Sequence, residues 1–317
     1  MEYAVLFPGQ GSQFVGMCAD VRAAHRELFG DQEREILGWD LDALVNDGPE
    51  ELLTETRYAQ PALYAVSYAL WTEFASHVST APLAAAGHSL GEYTALSASG
   101  ALEYRDGLRL VAQRGEAMAR AAALEPSTMA ALVGADTETA ESIVARRRAA
   151  GGRLSVANIN APGQIVVAGG IDDVEWLEES ARDLGARRVI RLKVAGAFHS
   201  PFMGPAAGSL AAALDSVRFR DSAFAVYANT TAAPIVDPRV TLAEQLTAPV
   251  RFQETLEQIA ASGVNTFVHI GPGDVTAGLA RRTVQGADVR VVSSIQEARD
   301  VARELSVQLR GPREGAS

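Results

Sequence analysis

Leu83-Ala84-Ala85-Ala86-Gly87-His88-Ser89-Leu90-Gly91, continuing as a helix-like run to about Ala98, is the stretch that decides the fold. A short apolar segment stops at Gly87, and a helical pattern starts beyond Gly91, with G-x-S-x-G at the junction. A turn that sharp lifts Ser89 above the carboxyl end of a sheet, and the small glycines let strand and helix approach each other. The same five letters also suit an ordinary glycine-rich turn. It is the strand-turn-helix setting that favours a nucleophile elbow.

Working outward, Tyr3-Ala4-Val5-Leu6-Phe7 is a second apolar strand, stopped by Pro8-Gly9. Residues 20–77 read as helices separated at Gly48-Pro49 and at Gln60-Pro61, with Ala62 to Ala75 suited to a buried helix. Strands alternating with helices predict a parallel sheet. From Thr128 the pattern changes. Met129 to Val133 suits a strand, Asp136 to Ala149 a helix, and Leu154 to Asn158 with Gln164 to Ala168 a strand pair around Asn160-Ala161-Pro162-Gly163. Asp172 to Leu184 then reads as a helix and Arg188 to Val194 as a strand, a β-α-β-β-α-β order of the ferredoxin-like kind. Ala225 to Ala228 and Thr266 to Ile270 resume the larger pattern, and Gly311 to Ser317 reads as a frayed tail. The expected fold class is α/β: an α/β-hydrolase-like large domain with a parallel sheet (1–127 and 195–317) and an inserted ferredoxin-like small domain (128–194). Two such lobes leave a cleft between them, a usual place for a substrate.

Composition agrees with a globular α/β protein. The 317 residues are 48% hydrophobic and 21% charged, enough to bury a full core, while aromatics are only 6%. No apolar run reaches the ~20 residues of a bilayer crossing, and the first residues lack the basic flank of a signal peptide, so a soluble, cytoplasmic protein without a membrane partner is expected. Cys18 is the only cysteine, which excludes an internal disulfide and a thiolate metal cluster. A net charge of -11 argues against nucleic acid as a partner. Lys193 is the only lysine, a bias that carries no mechanism by itself.

A serine nucleophile needs a base, and the candidates are His25, His77, His88, His199 and His269. His25 and His77 read as exposed helix residues, His88 as support for the turn, and His269 as structural. His199, in Gly196-Ala197-Phe198-His199-Ser200-Pro201, sits where the inserted lobe rejoins the larger one and can face Ser89 across the cleft. Gly9-Gln10-Gly11-Ser12-Gln13, after the first strand, is placed to turn backbone N–H groups toward an oxyanion. No H-E-x-x-H, phosphate loop or dinucleotide fingerprint is present, so neither metal nor cofactor is expected.

Taken together, Phe7 to Gln13, Gln60-Pro61-Ala62, Gly87 to Tyr93, Gln113-Arg114-Gly115, Asn158 to Gln164, Ala197 to Ser200 and Pro249-Val250-Arg251-Phe252 resemble, in kind and order, the malonyl-CoA:acyl carrier protein transacylases. The resemblance spans roughly residues 3–295 and extends to the discrete, trans-acting acyltransferases of polyketide synthases. It implies a Ser89–His199 dyad, the ring oriented by a backbone carbonyl, with an oxyanion hole from the amides of Gln10 and Leu90. Arg114 would hold the free carboxylate of a malonyl group by a bidentate pair, with Gln60, Asn160 and Gln164 as further pocket residues. The reaction implied is ping-pong transfer from malonyl-CoA through Ser89 to the pantetheine thiol of an acyl carrier protein, in polyketide or fatty acid biosynthesis, by a monomer. Phe198 points to malonyl over α-substituted units, since its ring fills the space a methyl group would need. Gly196 stands where malonyl-type domains commonly have His, which keeps methylmalonyl and ethylmalonyl open. A proofreading thioester hydrolase is the rival reading, and Arg114 disfavours it. Arg146-Arg147-Arg148, Arg187-Arg188 and Arg281-Arg282 are the basic runs available to an acidic carrier.

Overall fold

Two sheets organise the chain in the computed structural model, which describes residues 2–180 and 183–310. The elements run β1 (Tyr3–Phe7), α1 (Ala19–Ala24), α2 (Asp31–Leu37), α3 (Leu41–Asp47), α4 (Glu50–Thr54), α5 (Thr56–His77), β2 (Ala84–Gly87), α6 (Gly91–Ala98) and α7 (Tyr104–Leu124). There follow β3 (Ser127–Val133), α8 (Thr137–Ala149), β4 (Ser155–Ala161), β5 (Gln164–Gly170), α9 (Ile171–Ser180) and β6 (Arg188–Arg191). The remainder is α10 (Gly204–Asp215), β7 (Ala225–Tyr227), α11 (Pro238–Gln245), α12 (Phe252–Ala261), β8 (Thr266–Ile270), α13 (Val275–Thr283), β9 (Asp288–Val292) and α14 (Ile295–Arg310).

The larger sheet has the order β7-β2-β1-β8-β9, and each of its pairings is parallel. Strands β1 and β2 are apolar throughout because both faces of the sheet are covered. Tyr3, Val5 and Phe7 of β1 pack with Ala85, Val268 and helices α5 to α7, while Ala4 and Leu6 pack on the opposite face with Ala84, Ala86, Phe267 and helix α12. The register sets Phe7 beside Gly87, so the carboxyl ends of β1 and β2 finish level, under the turn that carries Ser89. The smaller sheet is antiparallel, β4-β5-β3-β6, with α8 and α9 packed against it through Ile143, Val144, Val174 and Leu177. Its element order is β-α-β-β-α-β.

Several expected boundaries move. Pro61 does not separate two helices but lies inside α5, which starts at Thr56. Its missing N–H removes one bond early in the helix, and the long buried face, from Ala59 to Phe74, offsets that loss. Strand β4 runs on through Asn160 and Ala161, so the hairpin turn shrinks to Pro162-Gly163, with Gly163 at φ 71°. Strand β6 stops at Arg191, and the end of the helix expected up to Leu184 includes residues outside the described set, as does the expected tail from Gly311. His77 is an exposed residue of α5, as expected, whereas His25 is half-buried just past the end of α1; both bond the carboxylate of Glu73, at 3.0 and 3.1 Å, where Arg299 of α14 also pairs with it. No helix among the described residues is long and apolar enough to cross a membrane.

Candidate active site

The turn between β2 and α6 is built by two glycines that tolerate nothing larger. A Cβ on Gly87 would lie 1.8 Å from the Gly91 carbonyl carbon, and one on Gly91 would lie 2.3 Å from the Phe7 carbonyl oxygen. Between them Ser89 adopts φ 52°, a left-handed conformation that L residues avoid and that marks a constrained turn. Asn229, just past β7, clamps this turn. Its Oδ1 accepts the Ser89 N–H at 2.7 Å, its Nδ2 donates to the Gly87 carbonyl at 2.7 Å, and its own N–H donates to Glu92 Oε2 at 2.7 Å.

Ser89 Oγ lies 2.7 Å from His199 Nε2. On the far side of the ring, His199 Nδ1 is 2.9 Å from the backbone carbonyl of Gln245. A carbonyl only accepts, so Nδ1 carries the proton and Nε2 presents its lone pair to the serine hydroxyl. The imidazole is held neutral: burial, and then the nearby Arg114 charge, push its pKa down to about 3. His199 itself has φ 54°, so both members of the pair sit on constrained backbone.

Arg114 comes from α7 and is 1% exposed. Nη1 donates to Gln60 Oε1 at 2.8 Å, and Nη2 donates to Gln245 Oε1 at 2.9 Å and to Ser89 Oγ at 3.1 Å. All of these acceptors are neutral, and among the described residues no carboxylate forms a salt bridge with this guanidinium. Its Nε has no partner among the described residues, and its charge stands 5.5 Å over the Tyr93 ring. A buried cation without a paired anion is costly, and an arriving carboxylate would relieve that cost.

These groups open onto a cavity of about 300 Å³ whose walls include Gln10, Leu90, Met118, Phe198 and Lys193. Gln10, Ser89 and Leu90 all line it. Asn160 also lines the cavity, with its Oδ1 2.7 Å from His88 Nε2, and Gln164 lines it with Oε1 accepting from Arg282 at 2.9 Å. Gln60 lies behind Arg114, where it donates to the Met118 sulfur at 3.3 Å. His88 packs edge-on against Phe252, and His269 is buried in β8 beside Thr276. A larger cleft of about 680 Å³, lined by Trp39, Tyr58, Arg57 and Arg120, lies elsewhere and contains no nucleophile–base pair.

Sequence reasoning missed Gln245, Asn229 and Glu92. Glu92 directly follows the serine motif and was within reach of a reading of its neighbourhood. Asn229 and Gln245 lie 140 and 156 residues from Ser89, in segments with no chemical pattern of their own, and only the fold brings them in.

Residues 5–310 match the acyl transferase domain family. The chain is 42% identical over 285 residues to the malonyl CoA-acyl carrier protein transacylase of Bacillus subtilis (strain 168), covering 88% of this chain and 89% of that protein. Among solved structures, a malonyl-transacylase in complex with its type II PKS acyl-carrier protein superposes with TM-score 0.91 at 36% identity, covering 96% of this chain and 100% of that one. The acyl-carrier-protein S-malonyltransferase of Bartonella henselae gives TM-score 0.91 at 38% identity, with 96% and 99% coverage. The chain belongs to the acyl transferase domain family, among the malonyl CoA-acyl carrier protein transacylases.

Proposed function

We propose that this chain moves a malonyl group from malonyl-CoA, through an ester on Ser89, to the pantetheine thiol of an acyl carrier protein in fatty acid or polyketide biosynthesis. His199 Nε2 takes the Ser89 hydroxyl proton as Oγ bonds to the thioester carbon. The tetrahedral oxyanion is met by the backbone N–H groups of Gln10 and Leu90, a form of stabilisation worth on the order of 3 kcal/mol per donor. The C–S bond then breaks, the sulfur of coenzyme A receives the proton from His199, and the carrier thiol reverses the sequence. Arg114 holds the malonyl carboxylate throughout. The chain divides into a large lobe, 1–127 and 195–317, and a small lobe, 128–194, with the cleft between them limiting water.

One observation carries this reading: a fully buried arginine, 3.1 Å from the serine hydroxyl and bonded only to neutral acceptors. A hydrolase of simple acyl groups has no use for that charge. The names of the relatives and the carrier-bound neighbour support the same donor and acceptor. Phe198, 6% exposed on the cavity wall, supports malonyl over its α-substituted forms, although one methyl group discriminates by only about 1–3 kcal/mol.

Intact-protein mass spectrometry after brief mixing with equal malonyl-, methylmalonyl-, ethylmalonyl- and acetyl-CoA tests it. A malonyl adduct is expected, absent in Ser89→Ala and reduced about 100-fold in Arg114→Ala, the scale on which losing one partner of a buried charge pair acts. A dominant acetyl or long-acyl adduct indifferent to Arg114 would overturn the assignment.

A further inference from the structure

Glu92 is a carboxylate with no access to solvent, in the first turn of the helix that begins at the elbow. Its Oε2 accepts the Asn229 N–H, and its Oε1 has no partner among the described residues. The strands packed on this helix, β1, β2 and β7, contain no charged residue. From α5 comes Tyr64, whose hydroxyl is bonded to Ser97 and to the Tyr104 carbonyl, and the helix itself adds Tyr93. The loop after β7 supplies the neutral amide of Asn229, and the end of α11 supplies that of Gln245. From α7 comes Arg114, joined to Glu92 through two amides: Arg114 Nη2 donates to Gln245 Oε1 at 2.9 Å, Gln245 Nε2 donates to Asn229 Oδ1 at 3.4 Å, and the Asn229 N–H donates to Glu92 Oε2 at 2.7 Å, an arrangement in which each charge favours the other. Thus the guanidinium whose hydrogen bonds all go to neutral acceptors is balanced at longer range by a carboxylate on the protein side.

We propose that Glu92 is the countercharge of Arg114 in the empty enzyme and takes up a proton from solvent when a substrate carboxylate docks on that arginine. The inference rests on the reading that Arg114 receives the malonyl carboxylate. In the empty site one buried cation faces one buried anion. Loading adds a second anion to the same low-dielectric space, and the attraction that kept Glu92 ionised is then shared. Protonation restores the balance, with the new O–H bond forming on the carboxyl group of Glu92 and no other bond changing. Burial already pushes the Glu92 carboxyl up to about 7, so the required proton is bound at little cost near neutral pH. An acetyl group brings no carboxylate and leaves Glu92 as it was. Glu92 is therefore a positioning residue, acting through Arg114, that adapts the site to acyl groups with and without charge.

The test is the proton stoichiometry of the loading half-reaction, measured between pH 6.5 and 8.5 by calorimetry in buffers of different ionisation enthalpy. Malonyl-CoA and acetyl-CoA are run on the wild type, Glu92→Gln and Arg114→Ala. Release of the coenzyme A thiol contributes equally for both donors and cancels in their difference. An uptake for malonyl exceeding that for acetyl by roughly half a proton near pH 8 is expected, disappearing in Glu92→Gln. Infrared difference spectra of the wild type alone should show a protonated carboxyl band on malonyl but not on acetyl loading, a readout that does not depend on the variant folding. If malonyl loading depends on Arg114 and yet no excess uptake appears, or the excess persists in Glu92→Gln, the proton linkage is wrong and the proposed function stands. If malonyl loading ignores Arg114→Ala, the functional reading fails and takes this inference with it.

Discussion

Arg114 acts on three groups at once: it donates to Ser89 Oγ, it is balanced by Glu92, and it lowers the proton affinity of His199. The last effect yields a prediction with a definite sign. His199, the proposed base, is neutral above a pKa of about 3, so protonation of the ring limits acylation only in strong acid. Removing the Arg114 charge lifts one of the two influences that depress this pKa, and the acid limb must move to higher pH. As the medium is acidified, Arg114→Met should therefore lose acetyl-loading rate at a higher pH than the wild type does, although burial still holds the ring below its ordinary pKa. Acetyl-CoA is the proper donor because it carries no carboxylate for the missing guanidinium to hold. Identical acid limbs in single-turnover measurements on the two proteins would show that Arg114 does not set the state of the base. At this scale Ser89 and His199 were legible because their chemistry has a local signature, and Arg114 because it sits in a recognisable tripeptide. Gln245 was not, because it acts through a carbonyl on one neighbour and an amide on three others.

Helices α5 and α7 position Arg114, and they touch where α7 has no side chain. A Cβ on Gly115 would lie 2.8 Å from the Thr56 carbonyl oxygen and 3.0 Å from the Arg57 Cα. Backbone cannot yield there as a flexible side chain would. Gly115→Ala should push α7 outward at the residue next to Arg114, costing about 1–3 kcal/mol of stability. It should also raise KM for malonyl-CoA more than for acetyl-CoA, a split that steady-state assays on both donors can read. Equal effects on the two donors would mean that the helix contact is structural and does not aim the arginine. The elements themselves were readable from apolar runs and glycines, but Pro61 misled. A proline stops a helix when nothing compensates, and the burial of α5 along one long face does compensate. Nothing in the local sequence reports that burial. The same limit applies to His25 and His77, whose shared partner Glu73 also takes Arg299 from a helix more than 200 residues away.

Across the molecule, two apolar clusters join the two sheets. In one of them, Ala161 of β4 packs with Leu6 and Ala86 of the parallel sheet through Phe252, and backbone bonds from Ile159 to Val250 and from Val250 to Ala157, each 2.8 Å, run beside it. Phe252 is fully buried and also meets the His88 ring at 5.3 Å. Truncating it to Ala should cost about 3–5 kcal/mol and lower Tm by roughly 10 °C. Because the cluster borders the cleft, the malonyl ester on Ser89 should also hydrolyse faster in Phe252→Ala, followed as decay of the adduct mass. A variant that melts early but keeps its ester as long as the wild type would separate fold stability from exclusion of water.

By itself, the sequence determined the alternation of strands and helices, the elbow at Ser89 and the residue types available for acyl transfer. These follow from local rules: period, glycine placement and short motifs whose chemistry lies in adjacent residues. Only the tertiary structure decided that a neutral imidazole meets the serine, that the arginine beside them lacks a bonded carboxylate, and that Asn229, Gln245 and Glu92 close the network. Those properties depend on desolvation and on distances of about 3 Å between residues far apart in the chain, which a linear pattern does not encode.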